Sequence, residues 1–309
     1  MLDVEIEKQN GDKVLLSEIG GNVQDFIVSS ISLDTIYESH EGRHGRQDMG
    51  AYYEDRTITV PVYFHAYELL HVPLLRDKLF AILNSNEPFY IRELRRPKMR
   101  QYAFIEPTEQ ARMKEGTEDV FVGGKRYLVR PSSDFSFEQE GLYGFTEIEF
   151  ETVGLPFAES IGTSLDLEES GALQPEIWSH GMGLSFEKES QKYTHKVEEE
   201  QEFRIYNASN VAFPVPFQID FTITISEVGG GDDGIRVTNV TNGSQLTFNG
   251  DMGNDDTLVY DKAKVTRNSL NALNEADKEF LTLSTGWNTL RMERASSAKI
   301  AVDTRFYYI

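Results

Sequence analysis

Cysteine is missing from all 309 residues. Its absence excludes a disulfide framework, a thiol nucleophile and any zinc site built on sulfur, and it fits folding in a reducing cytoplasm. Long apolar runs are missing too. No stretch approaches the roughly 18–20 apolar residues that a membrane span needs, so no membrane insertion is expected. Basic charge is scarce: 30 Lys and Arg stand against 51 Asp and Glu, a formal net charge of −21. So acidic a chain repels phosphate backbones, which argues against a general nucleic-acid binder. The opening Met1-Leu2-Asp3-Val4-Glu5-Ile6-Glu7 alternates apolar and acidic residues, and it reads as a first strand, not as a signal peptide.

What is present is enough apolar residue, 39% of the chain, to build real cores, and the length favours two of them. Period-2 alternation dominates. Phe26 to Val28, Thr57 to Phe64, Phe89 to Ile91 and Gly144 to Glu151 read as strands of an N-terminal half. Gly123-Gly124, between Phe121-Val122 and Arg126 to Val129, is a hairpin signal, because glycine tolerates the positive φ of primed turns. Phe217 to Ile225, Thr257 to Tyr260 and Lys299 to Val302 alternate in the second half. So do Ile235 to Val237 and Gln245 to Phe248, joined through Asn242-Gly243. These short strands have the spacing of a sandwich. One helix is expected, with Val72, Leu75, Leu79, Ile82 and Leu83 on one face, Pro73 in its first turn and a stop before Pro88. Asn274 to Lys278 reads only as a turn. The fold class is therefore mainly β: an N-terminal β-rich domain with one covering helix over residues 1–156, a Ser- and Glu-rich connecting region over 157–202, and a C-terminal β-sandwich over 203–309.

Chemistry is sparse. His40-x3-His44 has a two-ligand metal spacing, but Gly42 and Gly45 make the segment a loop, and no His-Glu-x-x-His accompanies it. Neither a nucleophile elbow nor a glycine-rich phosphate loop is present. The loops Gly229 to Gly234 and Asn249 to Asp256 carry Asp and Asn, yet they lack the alternating carboxylates and distant Glu of the helix–loop–helix calcium site; turn chemistry explains them. Acids are so abundant that no carboxylate pair singles itself out for glycoside hydrolysis. Trp178 and Trp287 are candidates for stacking on a sugar, with a core role favoured for both. The exception to the acidity is Arg92, Arg95, Arg96, Lys98 and Arg100, five cations within nine positions broken by one acid, Glu93. Beside the reading as a solvated hairpin tip stands a contact surface for an acidic partner or for a neighbouring copy of this chain.

The ordered features resemble a known family. Gly42-Arg43-His44-Gly45-Arg46 is followed by Arg56-Thr57-Ile58-Thr59-Val60-Pro61-Val62-Tyr63-Phe64, the helix around Arg76-Asp77-Lys78-Leu79-Phe80, and Glu87-Pro88-Phe89-Tyr90-Ile91-Arg92. The second half adds Gly243 to Asp251, Thr257 to Asp261 and Phe280-Leu281-Thr282-Leu283-Ser284-Thr285-Gly286-Trp287-Asn288. In order and spacing these resemble the distal tail (Dit) proteins of siphophages infecting Gram-positive bacteria, over nearly the whole chain.

The resemblance implies a structural protein without catalytic residue, cofactor or metal, made in the host cytoplasm and built into the virion at the tail tip. It implies a homo-hexameric ring formed by the N-terminal domain, between the tail tube protein and the tail-associated hub protein. The C-terminal domain would be a galectin-like sandwich on which receptor-binding or accessory baseplate proteins attach. DNA would pass through the ring without specific binding, and an acidic channel wall would keep it from adhering. The galectin sugar-binding signature is not found in residues 203–309. The alternative reading is a carbohydrate-binding module that recognises host cell-wall sugars through the C-terminal sandwich.

Overall fold

The computed structural model describes residues 2–42, 44–95, 123–174, 176–212 and 218–309. Two compact units emerge: Met1–Ala158 with Pro175–Ser179, and Glu159–Gln174 with His180–Ile309. Residues 157–202, read from the sequence as a connecting region, are thus divided between the two.

The first unit is a curled antiparallel sheet. Its strands are β1 (Leu2–Glu7), β2 (Lys13–Leu15), β3 (Gly21–Val23), β4 (Ile27–Val28), β7 (Thr57–His65), β8 (Phe89–Arg95), β9 (Lys125–Pro131), β10 (Glu138–Glu140) and β11 (Tyr143–Thr152). The order is β2-β1-β8-β9-β11-β7-β3, with β10 paired to β11 and β4 to β7. Strands β7 and β11 lie in register from Tyr143 opposite His65 to Glu151 opposite Thr57. Because side chains alternate across a strand, Ile58, Val60, Val62 and Phe64 point inward with Ile148 and Phe150 and are buried. Helix α1 (Val72–Leu83) has the bounds that the apolar spacing predicts, and it lays Leu79 and Leu83 into this core. Gly144 is required where it stands, since a Cβ there would collide with the Phe137 ring, which packs on Phe64 at 5.5 Å. Strands β5 (Leu33–Glu38) and β6 (Gln47–Tyr53) form a separate two-stranded hairpin.

The chain passes from one unit to the other within β12 (Ala158–Ser160). The second unit opens with the short helix α2 (Ser164–Ser170), whose capping box pairs Thr163 and Asp166. Its strands are β13 (Thr194–Glu198), β14 (Glu202–Asn207), β15 (Phe221–Gly229), β16 (Ile235–Asn239), β17 (Gln245–Phe248), β18 (Leu258–Asp261), β19 (Lys264–Arg267), β20 (Leu270–Asn271), β21 (Gly286–Glu293), β22 (Ser297–Thr304) and β23 (Tyr307–Tyr308). One sheet has the order β13-β22-β15-β18-β19-β20, the other β14-β21-β16-β17. Ile223, Ile225, Ile300 and Val302 of the first are buried, as are Ile205, Val237, Leu246 and Leu290 of the second. Tyr260 of β18 donates its hydroxyl to the carbonyl of Thr247 on β17 at 3.1 Å, and His195 of β13 packs on Phe203 of β14 at 4.9 Å. The unit is thus a two-sheet sandwich. The chain is mainly β, as expected. The Asn242-Gly243 hairpin closes between β16 and β17, with Thr238 opposite Gln245. Of the Gly123-Gly124 hairpin, Phe121 and Val122 lie outside the described residues.

Candidate assembly surfaces

Every residue of β5 and β6 is exposed, on both faces. The base of the hairpin is pinned. Ser32 N–H donates to the Asp55 carbonyl at 2.9 Å, Glu54 N–H to the Ser32 carbonyl at 3.0 Å, and the Ser32 hydroxyl to the Asp55 carboxylate. Tyr53 meets Phe157 edge-on at 5.4 Å. Further out, Tyr52 donates its hydroxyl to Asp34 at 2.5 Å, a bond that raises the phenol's pKa because its loss would leave two anions side by side. Arg46 stacks over the Tyr37 ring at 4.6 Å. The register shifts between Thr35 and Tyr37, with Gly50 opposite at φ +113°. Leu33, Ile36, Tyr37, Met49, Tyr52 and Tyr53 are left open to solvent. A lone two-stranded hairpin is at best marginally stable in water, so this element has surface to give to a partner. Gly42 and Gly45 lie in the loop joining its strands, and His40 there sits 3.9 Å from Glu38. Among the described residues no group of three or more His, Asp or Glu is placed to hold a metal ion.

The outer face of β11 carries Glu147, Glu149 and Glu151 in a row, all exposed. Their cross-strand neighbours on β7 are Pro61, Thr59 and Thr57, and Arg130 of β9 stands opposite Glu151. Among the described residues no ion pair involves these three acids. Further along the same face the acids give way to rings: Phe145 lies 4.9 Å from Tyr63, and Tyr143 4.9 Å from His65.

Of the five cations singled out from the sequence, Arg96, Lys98 and Arg100 lie outside the described residues. Arg92 and Arg95 are on β8. The Arg92 guanidinium is nearly covered: it pairs with Glu5 at 2.9 Å and donates to the carbonyls of Glu176 at 2.9 Å and Gly123 at 3.3 Å. It is committed to its own unit, within a cross-strand network in which Glu7 takes Arg126 at 3.2 Å and Lys13 at 3.5 Å. Arg95 is open to solvent and among the described residues pairs with Glu93, at 2.5 Å.

The tryptophans divide. Trp178 is buried and belongs to the first unit, so it is no part of the C-terminal sandwich. Trp287, favoured as core, instead faces outward from β21, with Arg204 stacked at 4.1 Å and Tyr206 edge-on at 5.2 Å. Asp256, in one of the loops screened for calcium, is taken by protein donors. Arg267 at 2.7 Å, the Gly253 N–H at 2.8 Å and Asn268 at 2.6 Å hold its carboxyl down to about 2.

The first unit is thus a β-rich sheet with one covering helix and the second a β-sandwich, and the first bears exposed apolar and acidic surfaces. Residues 9–152, within the first unit, match the family described as the phage tail protein RIFT-related domain. No curated protein matches the sequence. Among solved structures the chain is similar to the Dit protein of phage SPP1, described as a paradigm of the hub adsorption apparatus in phages infecting Gram-positive bacteria; the TM-score is 0.61, with 10% identity over 99% of each chain. This establishes a shared fold over both units. Phage P2 baseplate structures, in the activated conformation with calcium or strontium, match over 98% of each chain at 9% identity and a TM-score of 0.38, too slight a likeness to carry a conclusion. The resemblance to the Dit family thus holds at the level of the tail domain and of the fold. Among the described residues no helix is long and apolar enough to cross a membrane.

Proposed function

We propose that this chain is a structural protein of the virion tail tip. It forms a hexameric ring that joins the tail tube to the tail-associated hub protein and the receptor-binding machinery, and it leaves a channel through which DNA passes. The N-terminal unit closes the ring, and the sandwich offers a platform for receptor-binding or accessory baseplate proteins. The observation that carries this reading is the β5–β6 hairpin, exposed on both faces and apolar on its large residues. Such an element is a liability in a free chain and an asset where subunits pair. The acid row Glu147, Glu149 and Glu151 supports an acidic channel wall, because phosphates are repelled from it at short range. The basic contact role rests on Arg95, Arg96, Lys98 and Arg100, since Arg92 is spent inside its own unit.

Sedimentation and negative-stain electron microscopy of the purified chain, alone and with tail tube protein, test the reading. A six-membered ring with a central hole is the expected result, and a persistent monomer under both conditions refutes it. Charge reversal at Arg95 and Arg96 should weaken ring assembly or tube docking; normal hexamers and tails in that double variant would remove the contact assignment alone.

A further inference from the structure

A second apolar surface lies on the first unit, at the start of α1. Tyr67, Leu69, Leu70 and Leu74 are 88%, 61%, 80% and 57% exposed. Leu74 points away from the core because the helix turns about 100° per residue, which sets it opposite Val72 and Leu83, both buried. Leu70, Leu74 and Lys78 recur at four-residue spacing, so they form one stripe along the free side. Tyr67 continues the surface toward the outer aromatic face through His65, 6.3 Å away.

We infer that this helix-start surface is the seat for the β5–β6 hairpin of a neighbouring copy. The inference rests on the ring reading and adds which two faces meet. A ring with rotational closure is built from heterologous contacts, in which each copy offers two unlike, complementary surfaces; a two-fold dimer needs only one. This unit has two such surfaces. Both are exposed in the same copy, so neither covers the other. Taking about 150–250 Å² for a large side chain, the helix start leaves roughly 500–600 Å² open, and the hairpin leaves a similar total shared between its two faces, to be compared with ~800 Å² per partner in a standard interface. Their charges do not oppose contact: residues 33–53 carry Asp34, Glu38, Glu41 and Asp48 against Arg43 and Arg46, and residues 67–83 balance Glu68 and Asp77 with Arg76 and Lys78, in a chain of net charge −21. Arg76 and Lys78 are both exposed beside the apolar stripe.

The cysteine-free sequence allows a clean test. Four single variants of the full chain, Ile36→Cys and Tyr52→Cys on the hairpin and Leu70→Cys and Leu74→Cys at the helix start, are treated with a short bismaleimide. They are assembled singly and in hairpin-plus-helix mixtures, with tail tube protein where assembly requires it. Covalent dimers are expected in the mixtures and not in any variant alone. Dimers in the single-variant samples would show a two-fold contact and overturn the inference. Oligomers that form normally yet give no mixed dimer would overturn it too, while leaving the ring reading intact; failure to oligomerise under any condition refutes the ring itself. As a second measure, Leu70→Glu with Leu74→Glu should raise the concentration needed for assembly at least tenfold, with unchanged circular dichroism, whereas Leu173→Glu on the second unit should not. An unshifted assembly curve for the double variant also overturns the inference.

Discussion

Removing the side-chain amide of Asn288 should be among the most damaging single changes in the second unit. Asn288 is fully buried at the start of β21. Its Oδ1 accepts from the Ser284 N–H at 2.8 Å and from Asn239 Nδ2 at 2.9 Å, and its Nδ2 donates to the carbonyls of Ser284 at 2.8 Å and Gly286 at 3.0 Å. Asn239, equally buried, passes the network on to the Thr282 carbonyl at 2.8 Å. The Leu-x-x-Gly-x-Asn pattern of residues 283–288 is therefore a folding device: Gly286 supplies φ +81°, and the amide two residues on fastens the returning chain. Asn288→Ala strands one donor of Asn239 where water cannot reach it and releases the Ser284 bonds. At about 1–3 kcal/mol for an orphaned buried donor and roughly 0.5–1.5 kcal/mol for each exchanged bond, the loss should be about 2–4 kcal/mol. Asn288→Asp should be worse at neutral pH, since it turns a carboxylate oxygen toward two carbonyls. Asn242→Ala, which removes solvent-exposed bonds to Thr282 and Ser244 and strands no buried donor, is the control and should cost less than Asn288→Ala. Urea unfolding in a Trp178→Phe background reads Trp287 fluorescence, and hence this unit. A loss below about 1 kcal/mol for Asn288→Ala at an unchanged m-value would refute the reasoning.

Other substitutions probe other levels. Gly144→Ala should lower the thermal midpoint of the first unit, because its methyl group collides with the Phe137 ring; an unchanged melt would show that the ring moves aside freely. His195 titrates below its ordinary 6.5 because burial disfavours the charged ring, partly opposed by its bond to the Lys192 carbonyl. The unfolded chain thus binds its proton first, so the contribution is complete above about pH 6.5 and declines as pH falls toward the folded value; His195→Gln should flatten stability over that window, and an imidazole titrating at or above 6.5 by NMR would contradict this. Asp256 contributes above its ordinary range and loses that contribution as pH falls toward about 2; Asp256→Asn should lower the urea midpoint at pH 7 and match the wild type near pH 2, and equal midpoints at pH 7 would dismiss the pairing. Glu149→Lys places a cation between Glu147 and Glu151 and should raise first-unit stability by about 0.2–1 kcal/mol in low salt while slowing DNA ejection from assembled tails; a lower midpoint would show that the acid row is not under repulsive strain.

What the sequence made legible follows where a buried face exists. Helix α1 could be placed because Leu79 and Leu83 recur on the core side, with Pro73 and Pro88 as punctuation, and β7 and β11 because every second residue is apolar. The β5–β6 hairpin left no such trace. Both of its faces meet solvent, so nothing forces apolar and polar residues to alternate, and the register shift at Ile36 breaks the period. Helix α2 has no wide apolar face; only its Thr163-x-x-Asp166 capping signal was there to be read. Trp287 could have been placed by parity. It lies three residues from Leu290, and an odd separation along a strand puts two side chains on opposite faces. The return of residues 175–179 to the first unit has no local signal at all, because it depends on contacts distant in sequence.

Two parts of one sheet treat their acids in opposite ways. On β1, Glu5 and Glu7 are met across the strands by Arg92, Arg126 and Lys13. On β11, Glu147, Glu149 and Glu151 stand two residues apart, with proline and threonine opposite on β7, Arg130 opposite Glu151 on β9 and the Ser133 hydroxyl 3.5 Å from Glu149. Cross-strand pairs of opposite charge stabilise a sheet and like charges strain it, so the second row draws less support than the first: one arginine stands opposite its end residue, while Glu147 and Glu149 face uncharged side chains. The chain has the means to pair such acids, since the pairing on β1 shows arginine placed to within 3.2 Å of its acids. Stability of the isolated subunit therefore does not call for acids at Glu147 and Glu149. On the ring reading proposed above, those two acids face the channel, where they repel the phosphates that pass close by.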